Sequence, residues 1–186
     1  VRVVGGTARG RRLRAPAGGS IRPTADRVRE AVFDMIRSRR AVEGATVADL
    51  FAGTGALGIE ALSLGATSVT FVDRDAEAIR AIRANLASTG LGDAEDQGRV
   101  RVVRSDVLRW LEGHGDEPFD LALCDPPYGF EAWDEVLDHL GAAMAVLEAD
   151  RELPLGAGWE TLKTKRYGGT VVTLARRFPD NAKGPM

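Results

Sequence analysis

One cysteine, two histidines and no apolar run of membrane-spanning length bound what this 186-residue chain can be. A lone Cys124 excludes an internal disulfide framework, and His114 and His139 with that cysteine are too few for a zinc site. The opening Val1-Arg2-Val3-Val4-Gly5-Gly6 lacks the layout of a secretory signal, and no stretch is long enough to span a bilayer. A cytoplasmic location is the resulting expectation. No internal repeat and no low-complexity linker interrupts the chain. With 44% hydrophobic and 28% charged residues, its composition is that of a globular protein with room for one full α/β domain and a small appendage.

Charge is distributed unevenly. The first 40 residues carry eleven arginines against Asp26, Glu30 and Asp34, although the whole chain has a formal net charge of −2. A basic arm on an acidic body suits a polyanion, and arginine is the side chain for forked phosphate contacts and base stacking. Arg9, Arg11, Arg12, Arg14 and Arg22 are therefore the candidate nucleic-acid contacts. Arg2–Val4 and Arg11–Arg14, separated by a glycine-rich stretch, read as a basic hairpin. Val28, Val32 and Ile36 then recur at helical spacing behind Thr24, the expected N-cap. Residues 1–40 are read as a nucleic-acid-contacting part and 41–186 as the ligand-binding body.

From Thr46 onward short apolar runs alternate with amphipathic stretches. Strands are expected over Thr46–Phe51, Ser68–Val72, Val100–Val103, Phe119–Cys124 and Ala143–Leu147. Helices are expected over Leu57–Leu64, Asp75–Ser88, Val107–Leu111 and Glu131–Leu140. Such alternation predicts a mostly parallel sheet covered on both faces, and Trp159–Lys165 with Thr170–Arg176 adds an antiparallel hairpin at one edge. The turn at Gly141-Ala142 is tight even for a compact α/β unit.

Two segments carry chemistry. Asp49-Leu50-Phe51-Ala52-Gly53-Thr54-Gly55-Ala56-Leu57-Gly58 joins the first strand to its helix, with glycines where a ligand approaches the backbone and where helix packs on sheet. Asp73, about twenty residues on, is placed to hold ribose hydroxyls. The spacing also satisfies the dinucleotide fingerprint, so a dehydrogenase is a rival. Against it, Asp49 at the strand end opposes a diphosphate and favours a cationic ligand, and no hydride-transfer partner is evident. Asp106 ends the third strand, either as a helix N-cap or as a ligand contact. The second segment, Asp125-Pro126-Pro127-Tyr128, follows a buried strand. Two prolines remove backbone donors and leave carbonyls, a carboxylate and a ring to grip a planar group with an exocyclic amine. Phe130 and Trp133 lie close behind it, the latter more suited to packing. Cys124 reads as a buried strand residue.

These two motifs together resemble the class I S-adenosylmethionine-dependent amino-methyltransferases. Val3-Val4-Gly5-Gly6, Arg9-Gly10-Arg11-Arg12-Leu13 and Arg22-Pro23-Thr24-Ala25-Asp26-Arg27 narrow the resemblance to the RsmD family, over nearly the whole chain. The stretch near Gly141 departs from it, as though a surface loop were shortened. The resemblance implies a seven-stranded Rossmann-like sheet and methyl transfer to N2 of a guanine in bacterial 16S rRNA. It implies S-adenosylmethionine at Asp49, Phe51, Ala52, Gly53, Gly55, Asp73, Asp106 and Val107, with Thr24 and Arg27 closing over its carboxylate. Asp125, Pro126, Pro127 and Tyr128 would hold the base, with no metal. The expected partner is 16S rRNA within a small-subunit assembly particle, met by a monomer. A DNA amino-methyltransferase and an RNA-binding assembly factor without catalysis stay open beside it.

Overall fold

The computed structural model describes residues 1–14, 23–37, 41–114 and 117–178 (for 23–27 and 37, the backbone). Seven strands form one sheet: β1 Thr46–Leu50, β2 Ser68–Asp73, β3 Val100–Arg104, β4 Phe119–Cys124, β5 Ala142–Ala149, β6 Trp159–Tyr167 and β7 Thr170–Arg177. Their spatial order is β3-β2-β1-β4-β5-β7-β6. Strands β1 to β5 run parallel, and β7 joins β5 and β6 antiparallel, so the expected tail hairpin closes one edge. The chain leaves β1 toward β2 on one side and returns to β4 on the other. That reversal opens a crevice at the carboxyl ends of β1 and β4.

Strand alternation sends side chains to opposite faces, and each face buries a separate apolar cluster. On one face Val47, Phe71, Leu121, Leu123, Val146 and Leu174 pack under α1 (Pro23–Arg37), α2 (Ala56–Ser63) and α3 (Ala76–Thr89). On the other, Leu50, Val72, Ala122, Cys124 and Leu147 pack under α4 (Val107–His114) and α5 (Trp133–His139). The arm does not hang free of this core. Val3, Ala8 and Leu13 from the first segment, and Val28, Val32 and Ile36 from α1, belong to the first cluster.

Several boundaries differ from expectation for local reasons. β1 stops at Leu50 because Phe51 turns left-handed, with φ 60°. Helix α1 begins at Pro23, so Thr24 lies inside its first turn rather than capping it; proline is favoured at a first helical position, where no N–H is needed. Asp75 caps α3 instead of starting it, its side chain accepting from the Glu77 N–H at 2.8 Å. α4 runs on to His114, and α5 is shorter than expected. The link from α5 to β5 is Leu140-Gly141, and the Gly141 carbonyl is held by the Phe119 N–H at 2.8 Å.

The N-terminal hairpin forms as expected, with Val3 N–H donating to Arg11 O at 3.0 Å and Gly10 N–H to Val3 O at 2.8 Å. What fastens it to the body was not legible. Glu60, inside α2 and 1% exposed, accepts from the N–H groups of Val4 (2.8 Å) and Gly5 (2.6 Å) and lies 3.7 Å from the Arg29 guanidinium. Gly6 presses on the Ser63 carbonyl so closely that an added Cβ would sit 1.6 Å from it, and its φ is +73°. Asn85, fully buried in α3, accepts from Arg14 N–H at 2.8 Å. It donates to the carbonyls of Arg14 (3.0 Å) and Thr54 (2.9 Å), tying the arm to the glycine turn.

Candidate active site

The glycine turn is built on a strained residue. Phe51 is the one non-glycine with positive φ among the described residues, a conformation that costs on the order of 1–3 kcal/mol and clusters at functional sites. Two contacts hold it: the Ala52 N–H donates to Val72 O at 3.1 Å, and the Phe51 ring meets Phe130 edge-on, centroids 5.0 Å apart. Gly53 and Gly55 follow at φ 54° and 75°. A Cβ on Gly55 would crowd Ile82 at 3.1 Å and Phe71 at 3.3 Å, so only glycine lets the turn pack down before α2.

Asp73 ties two loops together. One carboxylate oxygen accepts from the Gly53 N–H at 2.8 Å and the other from the Asp75 N–H at 2.9 Å. Each oxygen keeps acceptor capacity for a ligand hydroxyl. Asp106 resolves its two readings by doing the first: its carboxylate accepts from Leu108 and Arg109 N–H, at 3.1 and 3.3 Å, and caps α4. It also lines the cleft, so capping does not remove it from the site.

That cleft has a volume of about 370 Å³ and is lined by Phe51, Asp73, Arg74, Asp75, Asp106, Val107, Asp125, Pro127 and Phe130. Six of the sequence candidates therefore converge in its wall from the ends of β1, β2, β3 and β4. Arg74 and Asp75 were not among them, although they directly follow Asp73. Phe130 lines the cleft, whereas Trp133 is buried in the core, as its packing reading had it, with its ring edge-on to Phe130. A larger, shallower groove of about 820 Å³ lies at the opposite ends of β4 and β5, away from this constellation.

The other candidates sit around the cleft. Asp49 is 1% exposed and accepts from the Gly58 N–H at 2.8 Å, beneath the first turn of α2. Burial holds its carboxyl well above the usual range, against the Gly58 hydrogen bond, with Asp125 and Asp73 adding repulsion. Asp125 opens to the cleft, yet protein crowds it on most sides, and this desolvation lifts its pKa to about 6. Tyr128 is 64% exposed, three residues on from Asp125. Arg9, Arg11, Arg12 and Arg14 are all exposed; Arg22 and the side chains of Thr24 and Arg27 lie outside the described residues. Cys124 is buried, and burial with the nearby Asp49 and Asp125 raises its thiol pKa, which makes it unfit as a nucleophile.

Residues 1–176 match the family model described as Conserved hypothetical protein 95. YlbH of Bacillus subtilis (strain 168) is 35% identical over 189 residues, covering 95% of this chain and 99% of its own. Ribosomal RNA small subunit methyltransferase D of Escherichia coli (strain K12) is 32% identical over 187 residues, covering 95% and 90%. The solved structure of yhhF from Escherichia coli superposes with a TM-score of 0.79 at 31% identity, over 95% of this chain and 97% of that one.

Proposed function

Because this chain belongs to the RsmD family, matched as Conserved hypothetical protein 95, we propose that it transfers a methyl group to the N2 amine of a guanine in bacterial 16S rRNA. The observation that carries this reading is the meeting of the Asp125-Pro126-Pro127 corner with the Gly53–Gly55 turn, Asp73 and Asp106 around one cleft. S-adenosylmethionine fits the donor set: a carboxylate at the end of β2 for ribose hydroxyls, Asp106 and Val107 for the adenine, and acids rather than a phosphate cradle facing a cation. When bound there it supplies an electrophilic methyl on a sulfonium.

The chain's own groups prepare the amine. A guanine amine is a weak nucleophile because its lone pair is delocalised into the ring. Accepting its hydrogens at the Asp125 carboxylate and the Pro126 carbonyl pyramidalises the nitrogen and turns the lone pair toward the donor. Fixed alignment then supplies much of the acceleration. The base must leave its stack to enter, and the exposed Tyr128 ring is the platform on which it would rest. Thr24 and Arg27, on the first turns of α1, would close over the cofactor's carboxylate. Residues 1–40 would bring the RNA through Arg9, Arg11, Arg12, Arg14 and Arg22, within an assembling small subunit.

Calorimetry and methyl transfer on one variant test the division of labour. Asp125→Ala should abolish transfer, at least about a hundredfold, while leaving S-adenosylmethionine affinity within a few-fold of wild type. Equal loss of both would assign Asp125 to the cofactor instead.

A further inference from the structure

The Asp125 corner explains how an amine is gripped but not why the amine should be guanine's. Adenine and cytosine also present an exocyclic NH2. The difference lies in the neighbouring ring nitrogen. Guanine carries a second donor there, N1–H, whereas adenine and cytosine carry an acceptor. A site that selects guanine needs an acceptor-only group beside the one that holds N2.

The sheet supplies one. Cys124 of β4 pairs with Leu147 of β5 as the last rung between strands about 4.8 Å apart, so Asp125 leaves β4 beside Glu148. Alternation fixes the direction of Glu148. Leu123 and Val146 belong to the core under α1, and Cys124 and Leu147 to the opposite core, so Glu148 returns to the α1 face; Asp125 lies near it and near Asp49, which bonds the first turn of α2. Glu148 is the last outward step before β5 ends at Ala149, and it is half-buried rather than sealed in. No described residue gives either carboxylate a hydrogen bond. A strand-end acid that accepts from no described residue keeps its acceptor capacity for a ligand's donors.

Resting on the guanine reading above, we infer that Glu148 is the residue that selects the base, accepting N1–H while Asp125 and the Pro126 carbonyl accept the N2 hydrogens. The electrostatics agree. Burial first, then Asp125 and Asp49, raise the Glu148 carboxyl well above its ordinary range, with Arg29 opposing. Two N–H donors arriving beside the cofactor's cation are what would restore the carboxylate. An adenine or cytosine would instead set its ring lone pair against the carboxylate oxygens. The role was invisible in the sequence, where a glutamate at the close of an apolar run reads as the solvated end of a strand.

The test uses 16S rRNA carrying either guanine or 2-aminopurine at the methylated position. 2-Aminopurine keeps the 2-amino group but has an acceptor at N1. Wild type should prefer guanine by kcat/KM. In Glu148→Gln, whose amide both donates and accepts, that preference should fall at least about tenfold, with S-adenosylmethionine affinity and Tm near wild type. Glu148→Ala should also lose the preference, through slower guanine methylation. If wild type methylates guanine and the ratio does not move in either variant, Glu148 is not the selector. A rise in the KM for S-adenosylmethionine at an unchanged ratio would hand Glu148 to the cofactor. If wild type methylates neither RNA, the guanine reading itself falls, and this inference with it.

Discussion

In the proposed function Asp125 would do two jobs with one carboxylate, gripping the amine and facing the cofactor's sulfonium, and its environment would make them pH-dependent. Desolvation raises its pKa to about 6, so in the cofactor-free protein the acid is increasingly protonated below that value. A sulfonium cation nearby favours the ionised form, so binding S-adenosylmethionine near pH 6 should release a proton. The expected outcome by calorimetry is an affinity a few-fold weaker at pH 5 than at pH 7. S-adenosylhomocysteine, with a neutral thioether, should show a smaller change over the same range. Equal pH dependence for both ligands would mean that the sulfonium does not sense Asp125. Residues of this kind were legible where a motif fixes them: the glycines, Asp73, Asp106 and the proline corner all reach the site through local spacing. Glu148 was not, because its partner Asp125 is brought beside it only by strand register.

At the scale of elements, the arm and the body are joined by side chains that read as ordinary helix polar residues. Glu60 and Asn85 lie in amphipathic stretches, where a charged or amide residue is expected to face water. Each is buried because residues 55 to 71 positions earlier fold back over it, a contact no local pattern encodes. Glu60 closes a buried ion pair with Arg29 while receiving two backbone N–H groups. Removing one partner of such a pair costs about 3–5 kcal/mol, because the groups it satisfied stay desolvated. Glu60→Ala should therefore lower Tm by several degrees or more. Glu60→Gln should lie between it and wild type, since its amide oxygen still accepts. Thermal unfolding of the three proteins checks this; equal Tm values would show that the hairpin is not fastened there. By contrast the strand–helix alternation of residues 46–149 was legible to within about three residues at each boundary, since period and turn chemistry are local.

Over the whole molecule, charge and topology divide between two ends of one chain. The parallel strands gather acids at their carboxyl ends, where a cationic methyl donor is suited, and the first segment presents exposed arginines, where phosphates are suited. Asn85 spans the two, bonded at once to Arg14 in the arm and to Thr54 in the glycine turn, so RNA and cofactor would meet on a connected frame. Among the described residues no helix is long and apolar enough to cross a membrane, and no His, Cys, Asp and Glu group is arranged to hold a metal ion. The most direct test is to incubate the protein with isotopically labelled S-adenosylmethionine and 16S rRNA, naked or in small subunits, from cells lacking the gene, and to resolve the labelled nucleosides by mass spectrometry. N2-methylguanosine as the labelled product is the predicted result. Label on an adenine or cytosine amine, or no label in either substrate while the protein binds S-adenosylmethionine, would contradict it.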